Sequence, residues 1–498
     1  MGSSQNHKKS LTEQAIVLFI GNALALALGI AVPMVLVRVF TKAEYGVYRQ
    51  LLLVFTTLLP VGQMGVTQGL YYFLPREPDK RSALITQTAL FVLVAGFLVL
   101  TFLLLFRNSI ARIMNSPEMV QYFDLLSLFI FFMIISSFLE SLMVAEGKAH
   151  FASLVRVSSA LLRSIAVVLT AVFTRSILGV LTALLCFSLA RCLFQTFYLV
   201  RHYSISLKNI DLPFWRRQFK YSIPVGLANL AWLFQTKLHS FFVSALFTPA
   251  TFAVYSVGTY NLPFIGLITT SVSNVVTPEL AVAQKHEDWN RILSIWNNAV
   301  RKMNLFFFPT FMFFLLMSQE FIIVLFGPKY VDSVPIFQIS LLGLLIASIN
   351  TGSVLNAYAE TTYQFRIALL RLPVAVLLLY VFTKRWGIIG AVSADMIVSA
   401  GFRFIVLGKV AGVMELSIIR LLEPRKNGKI MLASLLAGLP LLYFKACLEL
   451  PLVPLLAVSG LIFGVLYCFF GFLLKISSRS EVASFCRALL PGIGALQG

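Results

Sequence analysis

Charge is what this chain has least of. Asp, Glu, Lys and Arg make up 12% of its 498 residues, 20 of them acidic and 40 basic. Soluble globular proteins carry roughly 25% charged residues, so an ordinary water-facing surface cannot be built over this length. Cysteine is also scarce: Cys186, Cys192, Cys447, Cys468 and Cys486 have neither metal-ligand nor disulfide spacing and read as small core residues. There is no phosphate-binding loop, no paired-carboxylate arrangement and no His/Cys cluster, and the longest stretch between apolar runs is about 25 residues. These absences exclude ATP hydrolysis within the chain. They also argue against a membrane glycosyltransferase or polymerase, which would need a soluble domain or a large outer loop with acidic, metal-binding residues. The chain reads as a non-enzyme without metal or cofactor, its work driven by H⁺ or Na⁺ coupling, by the membrane potential or by consumption of its product.

What is abundant is apolar: 59% of the residues are hydrophobic. Ala83–Phe106, Ile177–Val200 and Pro451–Leu474 each exceed the roughly 18 apolar residues that indicate a membrane-spanning helix. The polar decapeptide MGSSQNHKKS precedes an apolar stretch too long for a signal-peptide core and without a cleavage-like site, so it reads as a retained first span. The pattern predicts an all-α polytopic membrane protein. Fourteen spans are expected, at residues 12–40, 47–72, 83–106, 122–144, 152–173, 177–199, 221–247, 250–277, 304–326, 334–358, 367–383, 387–408, 429–446 and 451–474. The thirteenth is short and holds Pro440; without it the C-terminus would change sides.

Lys and Arg in the loops test this order, because they concentrate on the cytoplasmic side. With the N-terminus inside, the cytoplasmic segments hold about 25 and the opposite side about nine, among them Lys42 and Arg49. Both termini are therefore expected in the cytoplasm. Basic residues spread over many short loops also exclude a nucleic-acid-binding domain.

The chain repeats itself. FTKAEYGVY at 40–48 returns as FTPATFAVY at 247–255, at the turn between the first two spans of each half. In that register Asn22 falls on Asn229. ALLRSIAVVLTAVFTRS–ILG at 160–179 matches ALLRLPVAVLLLYVFTKRWGIIG at 368–390, placing Arg163 on Arg371, and Ala145–Glu146 returns as Ala359–Glu360. The offset drifts only from about 207 to 214. Two six-span halves with a terminal pair follow: residues 1–203, a linker at 204–220, residues 221–410, a helix pair at 429–474 and a cytoplasmic tail at 475–498. Six is even, so the halves are parallel repeats about an axis along the membrane normal, a plan that places a transport site between them.

Six basic residues lie within spans: Arg38, Arg163, Arg191, Lys237, Arg371 and Arg403. Each costs about 2.5–3.5 kcal/mol at the centre of a lipid-facing helix. Arg38, Arg191, Arg371 and Arg403 are within about two turns of a boundary, where snorkelling is the default. Arg163 and Lys237 lie deeper and are expected in a wet cavity. Arg156, Ser159, Arg163 and Thr170 form one polar stripe; Ser222, Asn229, Thr236 and Ser240, with Lys237 beside them, form another; Thr56, Gln63 and Thr67 share a third face. Gly62, Gly65 and Gly69 suit close helix packing. The embedded acids are Glu140, Asp395 and Glu320, the last expected to be wet near the outer boundary. Glu140 and Asp395 are candidates either for ion pairs with Arg191 and Arg403 or for a coupling-ion site. A basic interior favours an anionic passenger and disfavours a cationic drug. Arg matches phosphate with paired donors, and Lys adds a point charge.

LVRVFTKAEYGVYRQL (36–51), VVTPELAVAQKHEDWNRILSIWNNAVRKMNLFFFP (275–309) and VLFGPKYVDSVPIFQI (324–339), at their places in a fourteen-span plan, resemble the polysaccharide-transport family. These are the Wzx-type O-antigen and capsule flippases of the multidrug/oligosaccharidyl-lipid/polysaccharide exporter superfamily. The resemblance implies two six-helix bundles in a V, like the multidrug exporters, around a central cavity. It implies a bacterial inner-membrane flippase that turns undecaprenyl-diphosphate-linked oligosaccharide to the outer leaflet by alternating access. A polysaccharide polymerase and glycosyltransferases would be partners. No motif of the family carries over by position. From the residues themselves, Arg163, Lys237, Arg156, Arg38 and Arg371 are the candidate diphosphate contacts and Asn22, Gln63 and Asn229 the sugar contacts. The alternatives are an ion-coupled multidrug antiporter, working through Glu140 or Asp395, and a lipid II flippase.

Overall fold

The computed structural model describes residues 11–358, 360–447 and 450–476. The N-terminal decapeptide, nearly all of the 475–498 tail and the side chain of Asn22 lie outside the described residues. Among the described residues there are helices and turns and no strand. Each expected span falls mainly on helix, the eighth being interrupted at 259–262. Ten helices are long and apolar enough to cross a membrane, or eleven with one bent pair. The difference from fourteen has three sources: the first span is described as apolar only over Ala27–Val39, the seventh is diluted by its polar stripe, and one helix crosses twice.

By contacts the chain divides into Met1–Ser256 and Val257–Gly498. The first unit comprises α1 (Leu11–Val39), α2 (Lys42–Gln63), α3 (Val66–Phe73), α4 (Arg81–Ile113), α5 (Phe123–Ile135), α6 (Leu139–Ala145), α7 (Ala149–Thr174), α8 (Ile177–His202) and α9 (Leu212–Leu246), with most of α10 (Pro249–Gly258). α1 packs on α7, α7 on α8, α8 on α5 and α5 on α4. α9, the first helix of the second half by the repeat, packs instead on α2 and α3. Contacts and internal repeat thus draw the boundary in different places.

Glycine makes that packing close. α2 and α3 bend by 42° where Met64 and Gly65 take positive φ. A Cβ on Gly65 would lie 2.4 Å from the Ser222 carbonyl oxygen, and one on Gly226 would lie 2.6 Å from that of Met64. At the other end of α9, Gln50 Nε2 donates to Ser244 Oγ and to the Met114 carbonyl, both at 2.9 Å. The doubled phrase turns the chain as expected. Thr41 caps α2 in a capping box with Glu44, and Thr248 Oγ1 accepts from Thr251 N at 3.3 Å in the second copy. The copies also touch: a Cβ on Gly46 would lie 1.8 Å from the Pro249 carbonyl oxygen.

The second unit holds α11 (Pro263–Lys285), α12 (Trp289–Leu316), α13 (Ser318–Phe326), α14 (Val334–Ala347), α15 (Thr351–Ala357), α16 (Thr361–Val413), α17 (Ile418–Leu422), α18 (Pro424–Cys447) and α19 (Leu452–Leu473). Fifty-three helical residues would run ~80 Å, more than twice the hydrocarbon thickness. α16 is accordingly kinked at Trp386 and Gly387, and only glycine readily takes the φ of 59° and ψ of −141° found at Gly387. The kink divides α16 into the eleventh and twelfth spans. One apolar core joins α11, α12, α15, the end of α16 and α17; a second joins α12, α18 and α19.

Gly46→Ala should cost about 1–3 kcal/mol of stability, because the Pro249 carbonyl is backbone and cannot swing aside. Gly29, where nothing lies within 4 Å of a Cβ, is the control: Gly29→Ala should be neutral or slightly stabilising. Thermal unfolding of the detergent-solubilised protein distinguishes the two.

Candidate functional site

A helix break inside a membrane frees carbonyls that lipid cannot satisfy. The fourth span of each half is broken, between α5 and α6 at 136–138 and between α14 and α15 at 348–350. Arg191 Nε and Nη2 donate to the Ser136 carbonyl at 3.4 and 3.2 Å. Arg403 Nη1 donates to the Ile349 carbonyl at 3.0 Å. The two arginines are 212 residues apart, so they are repeat equivalents. Both serve the interior of their units and do not snorkel, which corrects the expectation from their depth. Arg191 Nη2 also reaches Glu140 Oε1 and Oε2 at 2.7 and 2.9 Å. Arg403 is not paired with Asp395; the cation that Asp395 influences is Arg371, whose Nη2 donates to Ser399 Oγ at 2.9 Å.

That leaves Arg163 on α7 and Lys237 on α9, both half-buried within the first unit. Among the described residues no carboxylate pairs with either and no hydrogen-bond acceptor is assigned to either. Their electrostatic neighbours include like charges: Arg191 acts on Arg163, and Arg49 acts on Lys237. Tyr48, 5% exposed on α2, feels both Arg49 and Arg163. Arg49 of α2 and Arg163 of α7 therefore share the buried Tyr48, and Lys237 of α9 is a neighbour of Arg49. Arg49, expected on the outer side with the loop residues, lies two turns into α2. Its membership could have been found from the length of the capped helix starting at Thr41.

The other candidates are placed less centrally. Arg38 is exposed and donates to the Met34 carbonyl of its own helix at 2.6 Å. Arg156 and Asn229 are exposed, and Gln63 is half-buried at the end of α2. Glu320 is buried, not wet, and accepts an ion pair from Lys445 at 2.7 Å. Lys445 stands 125 residues along the chain, so this partnership has no local sequence signature.

At the end of the first unit expected to face the cytoplasm, an ion-pair network ties the loops together. Glu146 Oε1 accepts from Arg81 and, at 2.5 Å, from the Tyr203 hydroxyl; Oε2 accepts from Lys148 at 3.0 Å. Asp211 caps α9 through Phe214 N at 3.0 Å and pairs with Lys80 at 2.7 Å. Glu360, the repeat equivalent of Glu146, pairs with Lys409 at 2.9 Å. Burial works against the Glu146 carboxylate, yet the Tyr203, Lys148 and Arg81 contacts outweigh it and hold the group below its usual range. Burial, followed by the bond to Glu146, pushes the Tyr203 phenol up.

Comparison with known proteins agrees with this fold. Residues 35–335 match the model of a family described as "Polysaccharide biosynthesis protein". The chain belongs to that family. No curated protein matches it by sequence. Among solved structures it is similar to the lipid II flippase MurJ in an inward closed conformation, at 16% identity and a TM-score of 0.74 over 92% of this chain and 99% of that one. It is also similar to an inward-facing multidrug resistance MATE transporter of the MOP superfamily, at 13% identity and a TM-score of 0.66 over 79% and 96%. A MOP-superfamily transporter from Pyrococcus furiosus, described as having a binding pocket of reverse polarity, matches at 14% identity and a TM-score of 0.54 over 82% and 96%. The fold is thus an all-helical, multi-pass one shared with membrane transporters.

Glu140→Gln should destabilise the protein by about 3–5 kcal/mol by leaving Arg191 uncompensated, and Glu140→Leu with Arg191→Met should recover only part of the loss, because the Ser136 carbonyl then lacks its donor. Thermal unfolding reads both. Because the Glu146 pKa is depressed on folding, its stabilising effect is complete above the ordinary carboxylate value of 4.5 and is lost as pH falls through the folded value. Glu146→Gln should therefore flatten the decline in unfolding temperature below about pH 4.5.

Proposed function

We propose that this protein is a flippase for an undecaprenyl-diphosphate-linked oligosaccharide, turning it from the cytoplasmic to the outer leaflet of a bacterial inner membrane for surface polysaccharide synthesis. The observation that carries the reading is the pair Arg163 and Lys237, held half-buried beside Arg49 with no carboxylate partner among the described residues. Such cations are costly within a bilayer, and a diphosphate supplies the missing negative charge. Arg163 offers two parallel donors to phosphate oxygens and Lys237 a compact charge. Arg156 and Arg38, in the same unit, are further candidates for the diphosphate. The sugars would be met by neutral side chains such as Gln63, Asn22 and Asn229. Family membership in polysaccharide biosynthesis and a fold shared with transporters support this assignment.

Movement follows from alternating exposure of the basic face to the two leaflets. The chain has no ATP-hydrolysing motif, so the driving force lies in an ion gradient, the membrane potential acting on the bound charge, or removal of the flipped product by a polymerase. An antiporter for cationic drugs would work through Glu140 or Asp395 and fits less well: Glu140 is held by Arg191, and Asp395 acts on Arg371. A lipid II flippase would use the same diphosphate chemistry and differ in the glycan.

The test is surface-polysaccharide export in a deletion strain complemented with Arg163→Ala/Lys237→Ala. Export should fall at least about tenfold at normal protein abundance, since each lost charge-assisted contact is worth about 1.5–3 kcal/mol. Normal export would remove both residues from the site. Lost drug resistance with intact surface glycan would favour the antiporter.

A further inference from the structure

The second unit carries a polar recess of about 270 Å³ beside the first half of α12. Asn290, Ser294, Asn297, Asn298 and Arg301 line it, a stripe at helical spacing. The opposite face of α12 puts Ile292, Trp296, Val300 and Met303 into the core. Trp296 Nε1 donates to the Leu421 carbonyl at 2.9 Å, which fixes α12 against α17. The turn from α17 to α18 closes the recess with Glu423 and Lys426, themselves paired at 2.6 Å.

The lining has one surplus positive charge, two cations against one carboxylate. Lys302, Arg425 and Lys429 are exposed on the same helix ends. Apart from Leu293, the neutral part of the lining is amide and hydroxyl, and Asn297 Oδ1 is buried without a hydrogen-bond partner. A buried acceptor of this kind suits a hydroxyl donor, and the surplus charge suits a phosphate. The position is also that of a membrane boundary. Beyond Asn304, α12 becomes Leu305–Phe308; Tyr467 of α19 donates to the Leu305 carbonyl at 3.0 Å, and Lys429 donates to the Leu474 carbonyl at 3.2 Å. The apolar stretches of α12, α18 and α19 therefore start at the level of the recess, and Phe306, Leu432 and Phe469 are exposed along them.

We infer that the recess is a headgroup site for an anionic glycerophospholipid. Its phosphate lies against Arg301 and Lys426, its glycerol hydroxyls against the asparagine amides, and its acyl chains run along the apolar faces of α12 and α18–α19. The ligand chemistry is a phosphate ester of a polyol. The lipid source is favoured because apolar helix faces begin where the polar lining ends, and basic pockets between spanning helices on the cytoplasmic side select anionic headgroups. This site is separate from the Arg163–Lys237 set and does not depend on the passenger assigned to it.

The experiment uses the purified full-length protein in detergent, titrated with phosphatidylglycerol or phosphatidylcholine and read by native mass spectrometry. One phosphatidylglycerol per chain should be retained preferentially. Ser294→Trp, which fills the recess, and Lys426→Gln, which removes a charge, should each weaken retention roughly fivefold or more, while Lys426→Arg should preserve it. Soluble glycerol 1-phosphate at millimolar concentration forms the second arm. Failure to displace the lipid supports the lipid source. Displacement that is itself lost in Lys426→Gln keeps the phosphate-ester site but overturns the lipid as its occupant. Equal retention of both lipids by wild type and by both variants, with wild-type unfolding temperatures, overturns the proposal. Should Ser294→Trp fail to fold, Lys426→Gln, an exposed position, still decides it.

Discussion

Hydrocarbon offers no hydrogen bonds, so every cation and every free carbonyl placed within it must find a partner in the protein or in water. That constraint orders the interior of both units. Where the fourth span of each half breaks, an arginine from the sixth span supplies the missing donor, Arg191 to Ser136 and Arg403 to Ile349. Where an acid is buried, a base meets it, as Glu140 meets Arg191 and Glu320 meets Lys445. With these demands met, Arg163 and Lys237 stand out as charges that the described fold does not neutralise. That uncompensated charge is the basis on which we propose a site for a negatively charged passenger.

The ends of the helices use charge differently. Glu146 gathers Arg81, Lys148 and Tyr203 at one loop cluster, Glu360 holds Lys409 at the equivalent one, and Asp211 both caps α9 and binds Lys80. The Lys80 and Lys409 pairs are partly exposed and are modest contributors, whereas the Glu146 carboxylate is largely buried among its three partners; the shared effect is to fix the loops that position the helices. Glycine does the same work without charge. At Gly65 and Gly226 the absent side chains let α9 lie directly on the backbone where α2 meets α3, and at Gly46 the start of α10 lies against α2. The repeat makes α9 a member of the second half, yet its packing is with the first. The doubled phrase, with Gly46 against Pro249, is one of the points where that junction is made.

Most of the architecture was legible in the sequence because apolar run length and loop charge are summed properties, insensitive to any single residue. Fourteen spans, the repeat register and the turn role of FTKAEYGVY and FTPATFAVY all follow from such sums or from direct self-comparison. The helix breaks at 136–138 and 348–350 were not legible. No Pro or Gly sits at either point, and the stabilising donors come from more than 50 residues away. The equivalence of Arg191 and Arg403 was available from the offset of 212 but has no flanking identity to draw attention to it. Depth alone suggested snorkelling for both, and a donor to an interior carbonyl is the outcome that depth cannot distinguish. Arg49 was missed because it was counted with the outer loop although the expected second span, 47–72, already contains it; Thr41 with Glu44 marks the start of α2.

Reactivity at the two charged positions tests the central claim most directly. In a background without the five cysteines, Arg163→Cys and Lys237→Cys, with Leu162→Cys as a lipid-facing comparison, would be exposed to a membrane-impermeant, charged thiol reagent in oriented membranes. A thiol reacts through its thiolate and needs access to water. If these positions line a wet path for an anionic lipid-linked glycan, residues 163 and 237 should label readily and residue 162, an apolar position 60% exposed on α7, should not. Silence at 163 and 237 with a properly inserted protein would place them in dry packing or in lipid and contradict the account.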